Sequence, residues 1–299
     1  MIISEIAGFI GETEIKLEER FSNQSLVEKT GISRVYETAL TTRGIARKAV
    51  LSLTSQAILD DAKLLMLVTQ SPDDFLPANS IPLASALGMK KELLAVDINQ
   101  GCSGFVQALC LCDKMIQHYG TILLVTADRY RNKLRENDRS TNAVFSDGAC
   151  AIVLKSDNEH KVVFEDHITD GSKRDWLFQN TQSENDGFLY MSGADVWMFT
   201  RTSVVPQIKK ALKAAESKKL LVKRIYIHQA SKLVVDSIGK LLGVDGLLAK
   251  NYFKRGNTVS SSIPFLLKDY PTELAKNECV VFAGFGVGLT STVAIFART

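Results

Sequence analysis

Short apolar runs separated by polar, glycine-containing breaks set the pattern of this chain. LLMLV at 64–68 and TILLVTAD at 121–128 are too short and too continuously apolar for amphipathic helices. They read as strands buried on both faces. Residues 42–59 place apolar side chains at helical spacing, and a short helix is predicted at 79–88. The chain is organised around 91–119, which predicts a strand from Leu93 to Ile98, a turn at 99–101 and a helix from Ser103 to Tyr119. That helix is apolar enough to be buried on nearly all sides. Residues 1–15 read as a first strand and turn, 16–41 as turns and a loop, 129–142 as a basic surface loop, and 143–155 as strand, glycine turn, strand. Strands alternating with helices predict a mainly parallel α/β sheet.

The second half repeats the first. After a strand at 161–168, a loop or flap at 169–194 and a helix at 195–215, RIYIHQAS at 224–231 echoes LLMLVTQS at 64–71. A helix is predicted at 232–243. NYFKRGNTVSSSIPFLL at 251–267 echoes the central strand, turn and helix, and 279–297 echoes 143–155. The offsets agree, with Cys102 lying 32 residues after Gln70 and Asn257 lying 28 after Gln229. A duplication on this scale predicts two α/β halves, 1–158 and 159–299, about a pseudo-twofold axis. No Pro/Gly/Ser linker separates them. Matching turns would then meet at the carboxyl ends of the strands, where α/β sheets bind ligands. Cys102, His228 and Asn257 all lie at such turns.

Composition narrows the function. The chain has 299 residues, 45% hydrophobic and 23% charged, which is ordinary globular usage with enough length for a large core. A net charge of +3 is too small to point to nucleic acid. No apolar run reaches the roughly 18 residues of a membrane span. The N-terminal residues lack a basic region and read as a strand rather than a signal peptide. The five cysteines are odd in number, and none are spaced as zinc ligands. This predicts a reducing, cytoplasmic setting, no disulfide framework and no metal.

Cys102 sits between Gly101 and Gly104 where the central strand turns into the helix. A helix N-terminus favours thiolate over thiol, so a nucleophile in an open turn is one reading. A buried core cysteine is the other. His228, after the apolar IYI, is either a structural residue or part of a site, and Asn257 is either a site residue or a turn former. GFGVG at 284–288 reads better as a hairpin than as a phosphate loop, because no helix follows it. The basic run at 209–224 reads as a solvated face or as a landing patch for an acidic partner.

Taken in order, these motifs resemble β-ketoacyl-acyl-carrier-protein synthase III, a condensing enzyme of the thiolase superfamily. TGISR at 30–34 resembles its TGIRER, GCSGF at 101–105 its ACAGF, and FSDGACA at 145–151 its FGDGAGA. HQAS at 228–231 resembles its HQAN, while GNT at 256–258 and GFGVG match its GNT and Gly-rich hairpin. The resemblance implies a five-layer αβαβα fold and a homodimer. It implies an acyl-Cys102 intermediate, with His228 and Asn257 as donors to malonyl-acyl-carrier protein. The backbone N–H groups of Cys102 and Val287 would form an oxyanion hole, and Lys29, Leu76, Arg139, Phe285 and Gly286 would line the substrate path. It implies no metal or organic cofactor, only acyl-coenzyme A or acyl-carrier-protein thioesters as substrates. Departures lie around the mouth. Ser25 stands where the family stacks a tryptophan on adenine, and Lys29 stands for an arginine. Leu233 replaces a carrier-docking basic residue, Leu76 a phenylalanine that closes the partner's tunnel, and Ser231 the last residue of HQAN. These changes imply a specialised fatty-acid, polyketide or surface-glycan pathway. Transfer of the acyl group to an alcohol or amine is the alternative reaction, and a non-enzymatic partner subunit is a third reading.

Overall fold

The apolar runs assemble into two sheets in the computed structural model, which describes residues 1–21, 24–180 and 187–299. The first sheet holds β1 (Ile2–Ile10), β2 (Leu64–Val68), β3 (Leu94–Ile98), β4 (Thr121–Asp128) and β5 (Gly148–Lys155), in the order β1-β5-β4-β2-β3. The central pairs β4–β2 and β2–β3 are parallel, and β5 and β1 add antiparallel. The second sheet holds β6 (His160–Thr169), β7 (Leu221–Ile227), β8 (Glu278–Gly286) and β9 (Thr290–Arg298), in the order β7-β8-β9-β6. Here β7 and β8 are parallel, while β9 and β6 are antiparallel. Each sheet is therefore mixed. The connection β8–β9 is a tight hairpin, as the Gly-rich GFGVG predicts.

The principal helices are α1 (Thr42–Leu51), α2 (Gly104–Tyr119), α3 (Val205–Ser217), α4 (Lys232–Leu242) and α5 (Ser262–Asp269). Alternation along each strand sends successive side chains to opposite faces, and both faces are covered. Leu65, Leu67, Leu123 and Val125 pack under α1 on the outer face of the first sheet. Leu64, Met66, Ile122 and Leu124 face inward with Tyr226, Phe282 and Phe296 of the second sheet, enclosing α2 and α5. Ile225, Ile227, Val281 and Ala283 pack outward against α3 and α4. The result is the five-layer αβαβα thiolase fold.

Local chemistry explains the helix ends. The Thr41 hydroxyl accepts from the Gly44 N–H at the start of α1, and the Ser231 hydroxyl accepts from the Val234 N–H at the start of α4. Ser231, a departure at the end of the HQAS motif, thus serves as a helix cap. Gly243, at φ +67, ends α4 in a left-handed conformation.

Several expectations need correction. The helix expected over 42–59 stops at Leu51, and only a short turn of helix, Ile58–Asp61, follows. Residues 143–147 make no strand; Phe145 forms a single bridge to Asn257 before β5 begins. Residues 251–256 are a short helix, Tyr252–Arg255, rather than a strand. Asp269 accepts from Asn251 Nδ2 at 3.0 Å and from Arg255 Nη1 at 2.6 Å, holding that turn coiled. The place of a fifth strand in the second sheet is taken by one bridge, Ile225 to Leu248. The loop 129–142 is only partly superficial, because Tyr130 and Arg131 are buried. The Arg131 guanidinium donates to the Asn142 and Phe145 carbonyls. Within 16–41 the structure forms two short helices, Leu17–Arg20 and Gln24–Thr30, and a strand, Arg34–Glu37, paired with Thr13–Lys16. The flap region carries a small hairpin, Leu177–Gln179 with Leu189–Met191, and its residues 181–186 lie outside those described.

Candidate active site

The two halves meet at the turns that leave β3, β7 and β8. Cys102 lies between β3 and α2, and the end of β8 rests directly on it. A Cβ added to Gly286 would lie 2.8 Å from Cys102 Cβ and 3.2 Å from its Sγ. One added to Gly284 would lie 2.9 Å from the Cys102 carbonyl oxygen and 2.9 Å from Ser103 Cα. Only glycine lets the strand approach the nucleophile turn so closely. The Ser103 and Thr290 hydroxyls share a hydrogen bond of 2.7 Å, and Thr290 Oγ1 donates to the Val287 carbonyl at 2.8 Å. These bonds lock the turn at Cys102 to the hairpin that carries Val287. Among the described residues, no protein carbonyl takes the N–H of Cys102 or of Val287.

His228 follows β7, and its N–H donates to the Ala283 carbonyl of β8 at 2.9 Å. Its ring meets Phe285 edge-on, with centroids 5.5 Å apart. Phe285 thus joins the histidine to Gly286 and hence to Cys102. Nδ1 of His228 is 2.7 Å from Ser262 Oγ at the first turn of α5. The same hydroxyl accepts from the Gln229 N–H at 3.4 Å and keeps a second lone pair, so the ring tautomer decides whether it donates to Nδ1 or accepts from it. In the tautomer where Ser262 donates to Nδ1, the ring proton sits on Nε2, which is then a donor. Burial pulls the imidazole down to about 3, so the ring is neutral at ordinary pH.

Asn257 lies in the turn before α5, where it exchanges backbone hydrogen bonds with Val144 and Ser146. Its Oδ1 accepts from the Val259 N–H at 2.8 Å. That bond fixes the amide so that Nδ2 is the free donor. Val259 adopts φ +53, an unfavourable region for a β-branched residue that costs about 1–3 kcal/mol. Its Cγ1 lies 3.3 Å from the place a Cβ on Gly101 would take, bringing the Asn257 turn against the Cys102 turn.

The structure therefore gathers Cys102, His228, Asn257, Phe285, Gly286 and Val287. It places Lys29, Leu76 and Arg139 at the exposed surface instead. Lys29 is on the helix Gln24–Thr30, which packs on α4, and Arg139 begins the short helix Arg139–Asn142 beside the flap hairpin. Leu76 and its neighbour Phe75 are each 88% exposed.

The expectation of an activated thiolate fails in this structure. Cys102 is only 5% exposed. Burial, with the Asp128 carboxylate second, raises its thiol well above the ordinary cysteine range. A helix terminus contributes about 0.3–1 kcal/mol, which full desolvation of a charge exceeds. Sequence reasoning also missed Ser262, Asp128, Ser103 and Thr290 as partners of the site. Each is an unremarkable polar letter until the two halves come together.

Comparison with known proteins identifies the family. Residues 96–171 match the model of 3-oxoacyl-[acyl-carrier-protein] synthase III, and residues 212–298 match that of its C-terminal part. The chain belongs to this family. The β-ketoacyl-[acyl-carrier-protein] synthase III of Streptococcus sanguinis is 28% identical over 288 residues, covering 90% of this chain and 89% of the relative. A crystal structure of a 3-oxoacyl-(acyl-carrier-protein) synthase III is 26% identical, with a TM-score of 0.89 over 98% of each chain. The priming β-ketosynthase of the R1128 polyketide pathway is 21% identical, with a TM-score of 0.85 over 99% of this chain and 96% of its own, and shares the fold. As a synthase III-like acyltransferase, the chain is a condensing enzyme. Among the described residues no helix is long and apolar enough to cross a membrane, and no group of three His, Cys, Asp or Glu side chains could hold a metal ion.

Proposed function

We propose that the enzyme loads an acyl group onto Cys102 and condenses it decarboxylatively with malonyl-acyl-carrier protein. The observation that carries this reading is a buried, neutral imidazole held by Ser262 and an Asn257 amide held by Val259 on turns that pack against the Cys102 turn; with its proton on Nε2, the ring pairs with Asn257 Nδ2 as two neutral donors. Acyl transfer to an alcohol needs a base, and a ring held down to about 3 is a poor one. Two donors suit the enolate oxygen that forms when the malonyl carboxylate leaves as carbon dioxide.

In the first half-reaction Cys102 Sγ attacks the thioester carbonyl. The N–H groups of Cys102 and Val287 hold the oxyanion, and the donor's thiol departs with the cysteine's proton. Thiolate forms only as the incoming thioester is attacked, in keeping with the raised thiol. In the second, the malonyl C–C bond to the carboxylate breaks, and its electrons form the enolate held by His228 and Asn257. The enolate carbon bonds to the acyl carbon, the C–S bond to Cys102 breaks, and the thiolate takes back a proton. The product is a β-ketoacyl thioester, and the chemistry calls on no metal or organic cofactor.

Two further features fit the reading. Phe75 and Leu76 stand out from the protein, and β3 is an open sheet edge. A homodimer joined at that edge would cover both and bring Leu76 to the partner's acyl pocket. Lys29 and Arg139 are exposed cations suited to the phosphates of the thioester's carrier. The altered mouth favours a specialised pathway in the cytoplasm, where free thiols persist.

The test is intact-protein mass spectrometry with acyl thioesters, followed by product analysis with malonyl-carrier protein. Cys102→Ala should abolish acyl-enzyme. Asn257→Ala should leave acylation near wild type and slow condensation by about 100- to 1000-fold. Acyl-enzyme that discharges to an alcohol or amine, with no release of carbon dioxide, would replace this reading with simple acyl transfer.

A further inference from the structure

Asp128 ends β4, is fully buried, and lies behind the site rather than in it. One oxygen, Oδ1, accepts from the Gln70 N–H at 2.8 Å and from the Thr69 and Ser71 hydroxyls at 3.4 Å each. The other, Oδ2, accepts from the Ser260 N–H at 3.1 Å and from the Ser260 hydroxyl. A single carboxylate thus ties a turn of the first half to a turn of the second. Ser260 is the residue after Val259, whose backbone is held at φ +53 and whose N–H sets the Asn257 amide. Released from Asp128, the Val259–Ser260 backbone is free to leave that conformation, and the Val259 N–H would swing away from Asn257 Oδ1.

We infer that Asp128 is a positioning residue for decarboxylation, holding the Asn257 amide in its donor pose through the Ser260 N–H. This rests on reading Asn257 as a donor to the enolate. Asp128 touches no reacting atom. Burial pushes its carboxyl up to about 6, so at neutral pH it is ionised and accepts all five bonds. The network is asymmetric in a useful way. In Asp128→Asn the remaining oxygen suits the Gln70 side, where three donors converge, and the NH2 then faces Ser260. The Ser260 hydroxyl can turn to accept from it, but the backbone N–H cannot. The substitution therefore loosens the Asn257 turn and spares the Gln70 turn, whose side chain lies against Gly101.

The experiment is a double-mutant cycle on Asp128→Asn and Asn257→Ala, reading two rates. One is acylation of Cys102 by intact mass, and the other is carbon dioxide release from malonyl-carrier protein. Asp128→Asn should slow decarboxylation by about 100-fold while acylation is not slowed by more than about threefold, and gains if anything, because the charge that opposes the Cys102 thiolate is removed. In the Asn257→Ala background it should add little, because the group it positions is gone. Ser260→Ala, a milder change, should slow decarboxylation several-fold, and that effect too should vanish in the Asn257→Ala background. It serves as the test should Asp128→Asn fail to fold. Equal losses in both rates, or losses that multiply in the double variant, would overturn the inference and leave Asn257 in its role. If Asn257→Ala alone leaves decarboxylation intact, the donor reading falls and this inference falls with it.

Discussion

Gly286→Ala probes the closeness of the two halves more directly than any catalytic substitution. The new methyl would sit 2.8 Å from Cys102 Cβ and 3.2 Å from Sγ, whereas carbon atoms in contact prefer about 3.5–4.0 Å. Something must move by roughly 1 Å, the shortfall from that separation. The strand has little freedom, since β8 is paired with β7 as far as Ala283 and with β9 through Gly286 itself. The Cys102 turn has little more, because its backbone already lies against Gly284 and Ser103 is bonded to Thr290. Overpacking of this kind costs about 1–3 kcal/mol of stability, and a side chain at φ +157, a conformation L residues rarely adopt, adds backbone strain of its own. A misplacement of about 1 Å at a reacting atom costs on the order of 100-fold in rate. Acyl-enzyme formation, followed by rapid quench and intact mass, should therefore slow by about that factor, with a Tm lowered by several degrees. Gly171→Ala is the control. A Cβ there meets no atom within 4 Å, so rate and Tm should stay at wild-type values. A Gly286→Ala enzyme that acylates within threefold of wild type at unchanged Tm would refute the packing argument.

Thr290→Val should slow acylation more than Ser103→Ala, because Thr290 holds both the Ser103 hydroxyl and the Val287 carbonyl; about 1 kcal/mol per lost bond predicts several-fold effects in the burst rate. Acid should act through opposed groups. His228, held down to about 3 from 6.5, contributes stability that is complete above pH 6.5 and lost as pH falls toward 3. Asp128 and Asp147, pushed up to about 6 from 3.8, contribute stability that is complete below pH 3.8 and lost as pH rises through 6. Thermal melts of His228→Gln should therefore fall less steeply than wild type between pH 6.5 and 4.5, and an unchanged slope would show the imidazole already charged in the fold. Ser25 offers no ring to adenine, so acyl-carrier protein should load Cys102 with a higher kcat/KM than the matching acyl-coenzyme A, by about tenfold. Ser25→Trp should narrow that gap, and equal values for both donors in wild type would dismiss the idea.

Much of the architecture was legible in the sequence because it follows from local periodicity. The continuous runs of β2, β4 and β8 are too short for buried helices and read as strands covered on both faces, and the apolar length of α2 marks a helix between layers. The repeated order of strand, turn and helix puts Cys102, His228 and Asn257 at matching turns. Failures fell where distant residues override a local preference. The stretch 251–256 has the aromatic letters of a strand, but Asp269 binds Arg255 and Asn251 and holds a helical turn. The basic letters of 129–142 suggest water, yet the Arg131 head is drawn inside to the orphan carbonyls of Asn142 and Phe145. The state of Cys102 is the clearest case. Its neighbours in sequence speak for a thiolate through a helix dipole of at most about 1 kcal/mol. The glycines of β8, more than 180 residues away, let a strand close over the thiol, and Asp128 adds its charge from β4. Sequence alone thus gave no sign of Ser262, Asp128, Ser103 or Thr290, but it set Cys102, His228 and Asn257 at turns, because strand and turn placement is a local matter. Tertiary structure decided their protonation and aim, because desolvation and hydrogen bonding depend on whatever packs alongside, and that comes from the other half of the chain.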